Sequence, residues 1–260
     1  MTTALITGAS TGIGEKFAKE LASRQTNLVL VARSQDKLDN LATELSSKYQ
    51  IKTTVIAQDL TTTAARKAVF DTVQAQNITI DLLINNAGFG DYGAFSDRPL
   101  SKMMEMVQLN ISAVVELTGL FLPLMQTRKD GAIINVSSIA AFQPIPYMSV
   151  YAASKAFILN FSEALWAENK DLGVRILAIC PGPTESEFYD RADFPKSTTA
   201  FNTMTMASAE AVVKESLRAL DKSQSTAVVG GFKNQIIVNL PRLMPRDLLV
   251  GVVGKQFKHI

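Results

Sequence analysis

Between Ser138 and Lys155 the chain reads SIAAFQPIPYMSVYAASK, which sets a hydroxyl, a phenol and an ammonium within one short stretch. Tyr151 and Lys155 stand four residues apart at the start of a helical pattern, so their side chains share a face and can meet. A phenol titrates near a pKa of about 10 and exchanges protons poorly at neutral pH until a cation stabilises the phenolate. Lys155 supplies such a cation. Two unit charges about 4 Å apart at an effective dielectric near 20 interact by roughly 4 kcal/mol, or about three pKa units. The expectation is a phenol tuned toward neutrality. Ser138 closes an apolar run, Ala132 to Val136, that reads as a buried strand, and its hydroxyl is placed to bind the oxygen that the phenol protonates. Taken singly, these would be two surface residues of an amphipathic helix and a turn serine. The combination Ser-x12-Tyr-x3-Lys in a strand-then-helix context is the more specific signal.

The elements that would position these groups begin at the N-terminus. Ala4 to Thr7 form a short apolar strand, followed by Gly8-Ala9-Ser10-Thr11-Gly12-Ile13-Gly14 and a helix-like run from Glu15 to Ser23. Strand, glycine turn and helix in that order aim free backbone N–H groups and the positive end of a helix at an anion such as a pyrophosphate. Gly8 permits the turn, Gly12 a close approach, and Gly14 the packing of helix on strand. The same residues match G-x-S-x-G, the nucleophile elbow of hydrolases. That alternative needs strands ahead of the elbow and a usable histidine, whereas the only histidine is His259. A second strand, Asn27 to Ala32, ends at Arg33. An acidic side chain at this point of a dinucleotide fold binds a ribose 2′-hydroxyl, and an arginine accommodates a 2′-phosphate, which favours NADP.

Asp36 to Lys48 shows helical spacing, Thr53 to Ala57 a third strand ending in Asp59-Leu60, and Asp81 to Ile84 a fourth followed by Asn85-Asn86-Ala87-Gly88. Pro99 to Leu109 and Asn110 to Met125 read as two helices, the second apolar almost all round, so that it must be covered on both sides. Gly131 to Ser138 and Val174 to Cys180 are continuous apolar strands, as expected in a parallel sheet covered on both faces. Ser208 to Lys222 reads as a helix and Thr226 to Val229 as the last strand. The alternation implies a single α/β domain, a doubly wound, Rossmann-like parallel sheet of about seven strands.

Ser138-x12-Tyr151-x3-Lys155, G-x3-G-x-G at the first strand and Asn-Asn-Ala-Gly after the fourth together resemble the short-chain dehydrogenase/reductase family, NADP-preferring type, over roughly residues 3 to 231. The resemblance implies catalytic roles for Asn110, Ser138, Tyr151 and Lys155, with Asn110 holding a water in a proton relay to the lysine. It implies a cofactor site from Gly8, Ser10, Thr11, Gly12, Ile13, Gly14 and Arg33, with Asp59 and Leu60 at the adenine and Asn86, Ala87 and Gly88 beside the ribose. Tyr151 and Lys155 complete that site with Pro181, Gly182, Thr184 and Ser186, where the last two hold the carboxamide and inner phosphate. Glu185 and Glu187 should then point to solvent. Two positions bear on cofactor choice. Ala32 stands at the usual acidic position, which agrees with NADP; Thr11 stands where many NADP-preferring members carry a second basic residue, which does not. In the family, the all-round apolar helix and the tyrosine-bearing helix form a dimer's four-helix bundle, so a homodimer or homotetramer is implied.

Composition sets the remaining bounds. The 260 residues are 47% hydrophobic and carry a formal net charge of +2, which suits a large folded domain and gives no electrostatic footprint for nucleic acid. Cys180 is the only cysteine and cannot form an internal disulfide. One histidine excludes histidine-based metal clusters, and no metal is expected. The N-terminus lacks the layout of a signal peptide, no apolar run reads as long enough to cross a membrane, and the expected location is cytoplasmic. Phe188 to Met206 is aromatic-rich without periodicity, like a substrate-covering loop; with Phe89 to Phe95 and Ile139 to Met148 it points to a sizeable apolar ligand. Beyond the core, residues 232–260 form an extension in which Pro241 and Pro245 should separate a short helix up to about Leu240 from another starting near Arg246. Its mixture of apolar and basic residues fits a cover over the substrate pocket or packing on a partner subunit, with peripheral membrane contact the lesser alternative. The sequence thus reads as an NADP(H)-dependent oxidoreductase interconverting a carbonyl and an alcohol, a ketone, aldehyde or 3-oxoacyl compound. A non-catalytic dinucleotide-binding redox sensor is the alternative.

Overall fold

Continuous apolar segments at seven places in the chain become the strands β1 (Thr3–Thr7), β2 (Asn27–Ala32), β3 (Thr53–Ala57), β4 (Leu82–Asn85), β5 (Gly131–Val136), β6 (Val174–Pro181) and β7 (Thr226–Val229). A computed structural model describes residues 2–258. The strands form one sheet in the order β3-β2-β1-β4-β5-β6-β7, and every pairing is parallel. The order reverses between β1 and β4. In such sheets the crevice beyond the C-terminal strand ends at the reversal is where ligands bind.

Helices cover both faces, and alternate strand residues feed the two layers. On one face Ile6, Leu30 and Ile134 meet Phe17 of α1 (Gly12–Ser23), Leu38 of α2 (Gln35–Tyr49) and, from a later helix, Val213 and Leu217. On the other, Leu5, Val29 and Ile133 meet Val69 of α3 (Thr63–Ala75) and a long helical run described next. Thr62 caps α3 by accepting a bond from Ala65 N at 3.2 Å, which satisfies one N–H of its first turn.

The two helices expected from Pro99 to Met125 are one continuous run, Leu100–Arg128. It comprises α4 (Leu100–Val107), a π-turn at Gln108–Ser112 and α5 (Ala113–Arg128). No glycine or proline separates the parts, so the chain accommodates Asn110 by widening one turn instead of breaking. By length and composition this helix suffices to cross a membrane, against the expectation that no run is long enough. In the fold, its Leu117, Phe121 and Met125 are core residues packed on the sheet.

After α6 (Ser149–Asn169) and β6, the segment expected as a loop holds two short helices, α7 (Phe188–Arg191) and α8 (Thr199–Thr203), the second capped by Thr198. Then follow α9 (Ala209–Asp221), which supplies Val213 and Leu217, and after β7 the extension. The prolines divide the extension as expected, into α10 (Phe232–Asn239), a 3-10 turn at Leu240–Leu243 and α11 (Arg246–Phe257). His259 lies outside the described residues.

Candidate active site

A cleft of about 750 Å³ lies at the sheet's reversal point, bordered by the ends of β1, β2, β4, β5 and β6. Its floor is backbone. Gly8 takes φ +66°, and a Cβ there would stand 2.8 Å from Asn86 Nδ2. One on Gly14 would stand 2.2 Å from the Gly8 carbonyl oxygen, which no side chain survives. Asn86 fastens the loop from below: its side-chain amide donates to Thr7 O at 2.9 Å and Gly8 O at 3.2 Å, while Thr7 Oγ1 accepts from the N–H groups of Asn86 and Ala87, both at 3.0 Å. The first turn of α1 carries no side-chain cap, and Gly12 and Ile13 border the cleft. Those N–H groups are left for an anion.

Ser10, Thr11, Arg33, Asp59, Leu60, Asn86, Ala87, Gly88, Pro181, Gly182, Thr184 and Ser186 all border the same cleft. Gly14 does not; it serves packing. Arg33 is exposed at the cleft's edge and makes no ion pair among the described residues, so its charge is available to a ligand. Asp59 accepts from Thr61 N at 3.1 Å, and Thr184 is buried and donates to Gly182 O at 2.9 Å. Glu185 is exposed and off the cleft; Glu187 is exposed at its rim and paired with Arg191. A floor from which side chains are excluded, an uncapped helix end and an unpaired arginine beyond β2 fit a phosphate-bearing dinucleotide.

Ser138, Tyr151 and Lys155 converge above this floor. Ser138 sits just past β5, its Oγ accepting from Ala140 N at 3.1 Å, and Tyr151 and Lys155 project from the first turns of α6. Burial pushes the Tyr151 phenol up to about 12, opposed by a hydrogen bond with Ser138. The expectation of a phenol tuned toward neutrality is therefore not met. Lys155 Nζ donates to Val136 O at 2.9 Å and lies 5.8 Å from the Tyr151 ring centroid. Burial lowers Lys155 to about 8. Burial thus favours the protonated phenol, which is the form that donates a proton.

Asn110 does not border the cleft. It sits in the π-turn, buried, with Oδ1 accepting from Phe89 N at 3.1 Å and Nδ2 donating to Phe89 O at 3.0 Å and Ser154 Oγ at 3.1 Å. Only Gly88 separates it from Lys155: a Cβ on Gly88 would stand 2.9 Å from Asn110 Oδ1 and 3.5 Å from Lys155 Nζ.

Three supports lie outside the site residues expected from the sequence. Arg66, 1% exposed, donates to Leu60 O at 3.1 Å, Gln108 O at 3.2 Å and Glu116 at 2.7 Å, tying the loop after β3 to the π-turn. Asn85 donates to Asn135 at 2.8 Å and Asn135 to Ser162 at 2.9 Å, a polar ladder joining β4, β5 and α6 beneath the site. Asn234 of α10 donates to Val229 O at 2.9 Å and fills the space beside Gly182. Of these, Asn85 carries a local signal as the first residue of the Asn-Asn-Ala-Gly run, and Asn135 carries one as an amide inside an otherwise apolar strand.

The far wall is aromatic. Phe188, Tyr189 and Phe194 come from α7 and the chain just after it, and Phe257 from α11. Tyr151 and Phe188 ring centroids are 5.2 Å apart, and Phe194 stands edge-on to Phe257 at 5.9 Å.

A family model described as short chain dehydrogenase matches residues 2–194. A very-long-chain 3-oxoacyl-CoA reductase of Anas platyrhynchos is 39% identical over 186 residues, covering 68% of this chain. This chain spans 58% of that relative's length. The Homo sapiens protein of the same description is 32% identical over 248 residues, 92% of this chain and 75% of the relative. Among solved structures, a short-chain dehydrogenase from Sphingobium yanoikuyae in complex with NADPH superposes with a TM-score of 0.81 at 32% identity, over 88% of this chain and 87% of that one.

Proposed function

The chain belongs to the short-chain dehydrogenase family, and on that premise we propose that it is an NADP(H)-dependent oxidoreductase reducing the carbonyl of a sizeable apolar ketone, aldehyde or 3-oxoacyl substrate. The observation that carries the reading is a buried phenol, a hydroxyl and a lysine amine gathered in one cleft above a glycine loop that excludes side chains at Gly8 and Gly14. The 3-oxoacyl thioesters named for the relatives fall within this substrate class, and NADPH is the cofactor named for the Sphingobium structure.

The N–H groups of the glycine loop hold the pyrophosphate, Arg33 the 2′-phosphate, Asp59 and Leu60 the adenine, and Asn86 to Gly88 the ribose side. Thr184 and Ser186, on the loop that Pro181 and Gly182 begin, hold the carboxamide and inner phosphate. When bound, the nicotinamide supplies the hydride. Ser138 and Tyr151 bind the carbonyl oxygen, and Tyr151 gives it a proton as negative charge develops there. Lys155 orients the phenol, holds the nicotinamide ribose and returns the proton, which reaches it from a water held by Asn110. The aromatic wall, with α11 as its outer part, covers the apolar portion of the substrate; Phe257 bordering the cleft supports that role for residues 232–260.

The working form we propose is a homodimer or homotetramer through the α4–α5 and α6 faces, where Leu100, Met104, Val115, Leu124 and Phe157 remain exposed. The single, buried Cys180 fits the reducing conditions of the cytoplasm. The test is NADPH consumption against ketones, aldehydes and 3-oxoacyl thioesters of rising chain length. Turnover that improves with apolar length is expected. Tight NADPH binding with no turnover on any carbonyl would return the chain to the redox-sensor reading.

A further inference from the structure

The extension has a second apolar side that the cleft does not use. Its inner side is accounted for: Leu249 and Val253 are buried against the aromatic cluster, and Phe257 borders the cleft. On the outside, Leu243 is 85% exposed, Phe232 78%, and Leu248, Ile236 and Leu240 at least half. Eight of the sixteen large apolar side chains that are exposed in the described structure fall between Phe232 and Val252. A concentration of this kind on a water-facing surface marks a contact site.

Charge says what the contact is with. Lys233, Arg242, Arg246, Lys255 and Lys258 are all exposed, none is in an ion pair among the described residues, and Asp247 is the only acid between residues 232 and 258. A second copy of the same surface would set five cations against five and be repelled. An anionic lipid surface complements both components at once, with apolar side chains entering the acyl boundary and cations meeting the headgroups.

We propose that α10, the Leu240–Leu243 turn and α11 form a platform that seats the protein on an anionic membrane surface. The platform and the cleft share α11, whose Leu249 and Val253 pack on the aromatic cluster and whose Phe257 borders the cleft. The docking stands independently of the reaction proposed above, and its test does not use turnover.

The full chain is sedimented with vesicles of phosphatidylglycerol and phosphatidylcholine, and separately with vesicles of phosphatidylcholine alone. Recovery with the anionic vesicles and little with the neutral ones is expected. Each cation near an anionic surface strengthens binding about fivefold, so Arg242→Gln with Arg246→Gln should weaken it by more than about tenfold. Phe232→Ser with Leu243→Ser should weaken it comparably, with solution mass unchanged by light scattering. If the serine pair does not fold, the arginine pair decides alone, because its side chains lie outside the core. Wild-type protein left in the supernatant with anionic vesicles overturns the proposal, as does undiminished binding by the arginine pair. A fall in oligomeric mass in the serine pair with vesicle binding intact would assign the surface to a second copy instead.

Discussion

The floor of the cleft, from Gly8 to Ile13 and from Asn86 to Gly88, is largely backbone, whereas the wall drawn from α7, the chain just after it and α11 is made of aromatic bulk. At Gly8 and Gly14 a single added carbon meets atoms closer than any packing allows, so one residue type fits each position. In the wall, Phe194 touches the rings of Tyr92, Tyr189, Phe201 and Phe257, and the requirement is apolar volume, which several residue types meet. Where a site demands backbone geometry, sequence is dictated; where it demands volume, sequence is free to drift and with it the ligand.

The largest expected effect falls where floor and wall meet. Tyr151→Phe keeps the ring on Phe188 but removes the proton, so kcat for reduction should fall by roughly 10²- to 10⁴-fold with the NADPH dissociation constant little changed. Near-native kcat on a good substrate would remove Tyr151 from the chemistry. A smaller, cofactor-only effect is expected on the floor. Arg33→Ala deletes one charge-assisted contact, worth about 1.5–3 kcal/mol, and should raise KM for NADPH by about ten- to a hundredfold while leaving NADH alone. Equal loss with both cofactors would make Arg33 a structural residue. The smallest effect belongs to the wall. Phe257→Ala exposes part of one ring's contact and should raise KM for a long-chain substrate about fivefold, with small ketones and NADPH unaffected. A matching loss with small ketones would mean that floor and wall are not separable.

How legible each part was in the sequence follows the same division. The seven strands announce themselves as apolar runs because both sheet faces are covered, and the glycine loop and the Tyr-x3-Lys pair are short local patterns. Arg66 was not legible, because what buries it is Leu60, Gln108 and Glu116, the last two 42 and 50 residues away. The phenol's direction of shift was misjudged for a related reason: spacing shows that Tyr151 and Lys155 share a face, but not how deeply the fold buries the phenol. The extension was read correctly as two helices because proline acts locally, while its two-sided apolar character needed the fold to show which side is covered.

The π-turn at Gln108–Ser112 has a consequence for chain length. A turn closed by an i to i+5 bond holds one residue more than an α-turn, which rotates everything after it by about 100° around the helix axis. Before the slip, α4 packs toward α6; after it, α5 packs toward α3 and β5. Deleting any one residue between Gln108 and Ser112 would restore a uniform helix and misalign one half or the other, turning Asn110 from Phe89 or Leu117 and Phe121 from the sheet. This stretch therefore tolerates exchange of its outward side chains far better than any insertion or deletion, and a family member with a gap here would need a compensating change of length elsewhere along the same rod.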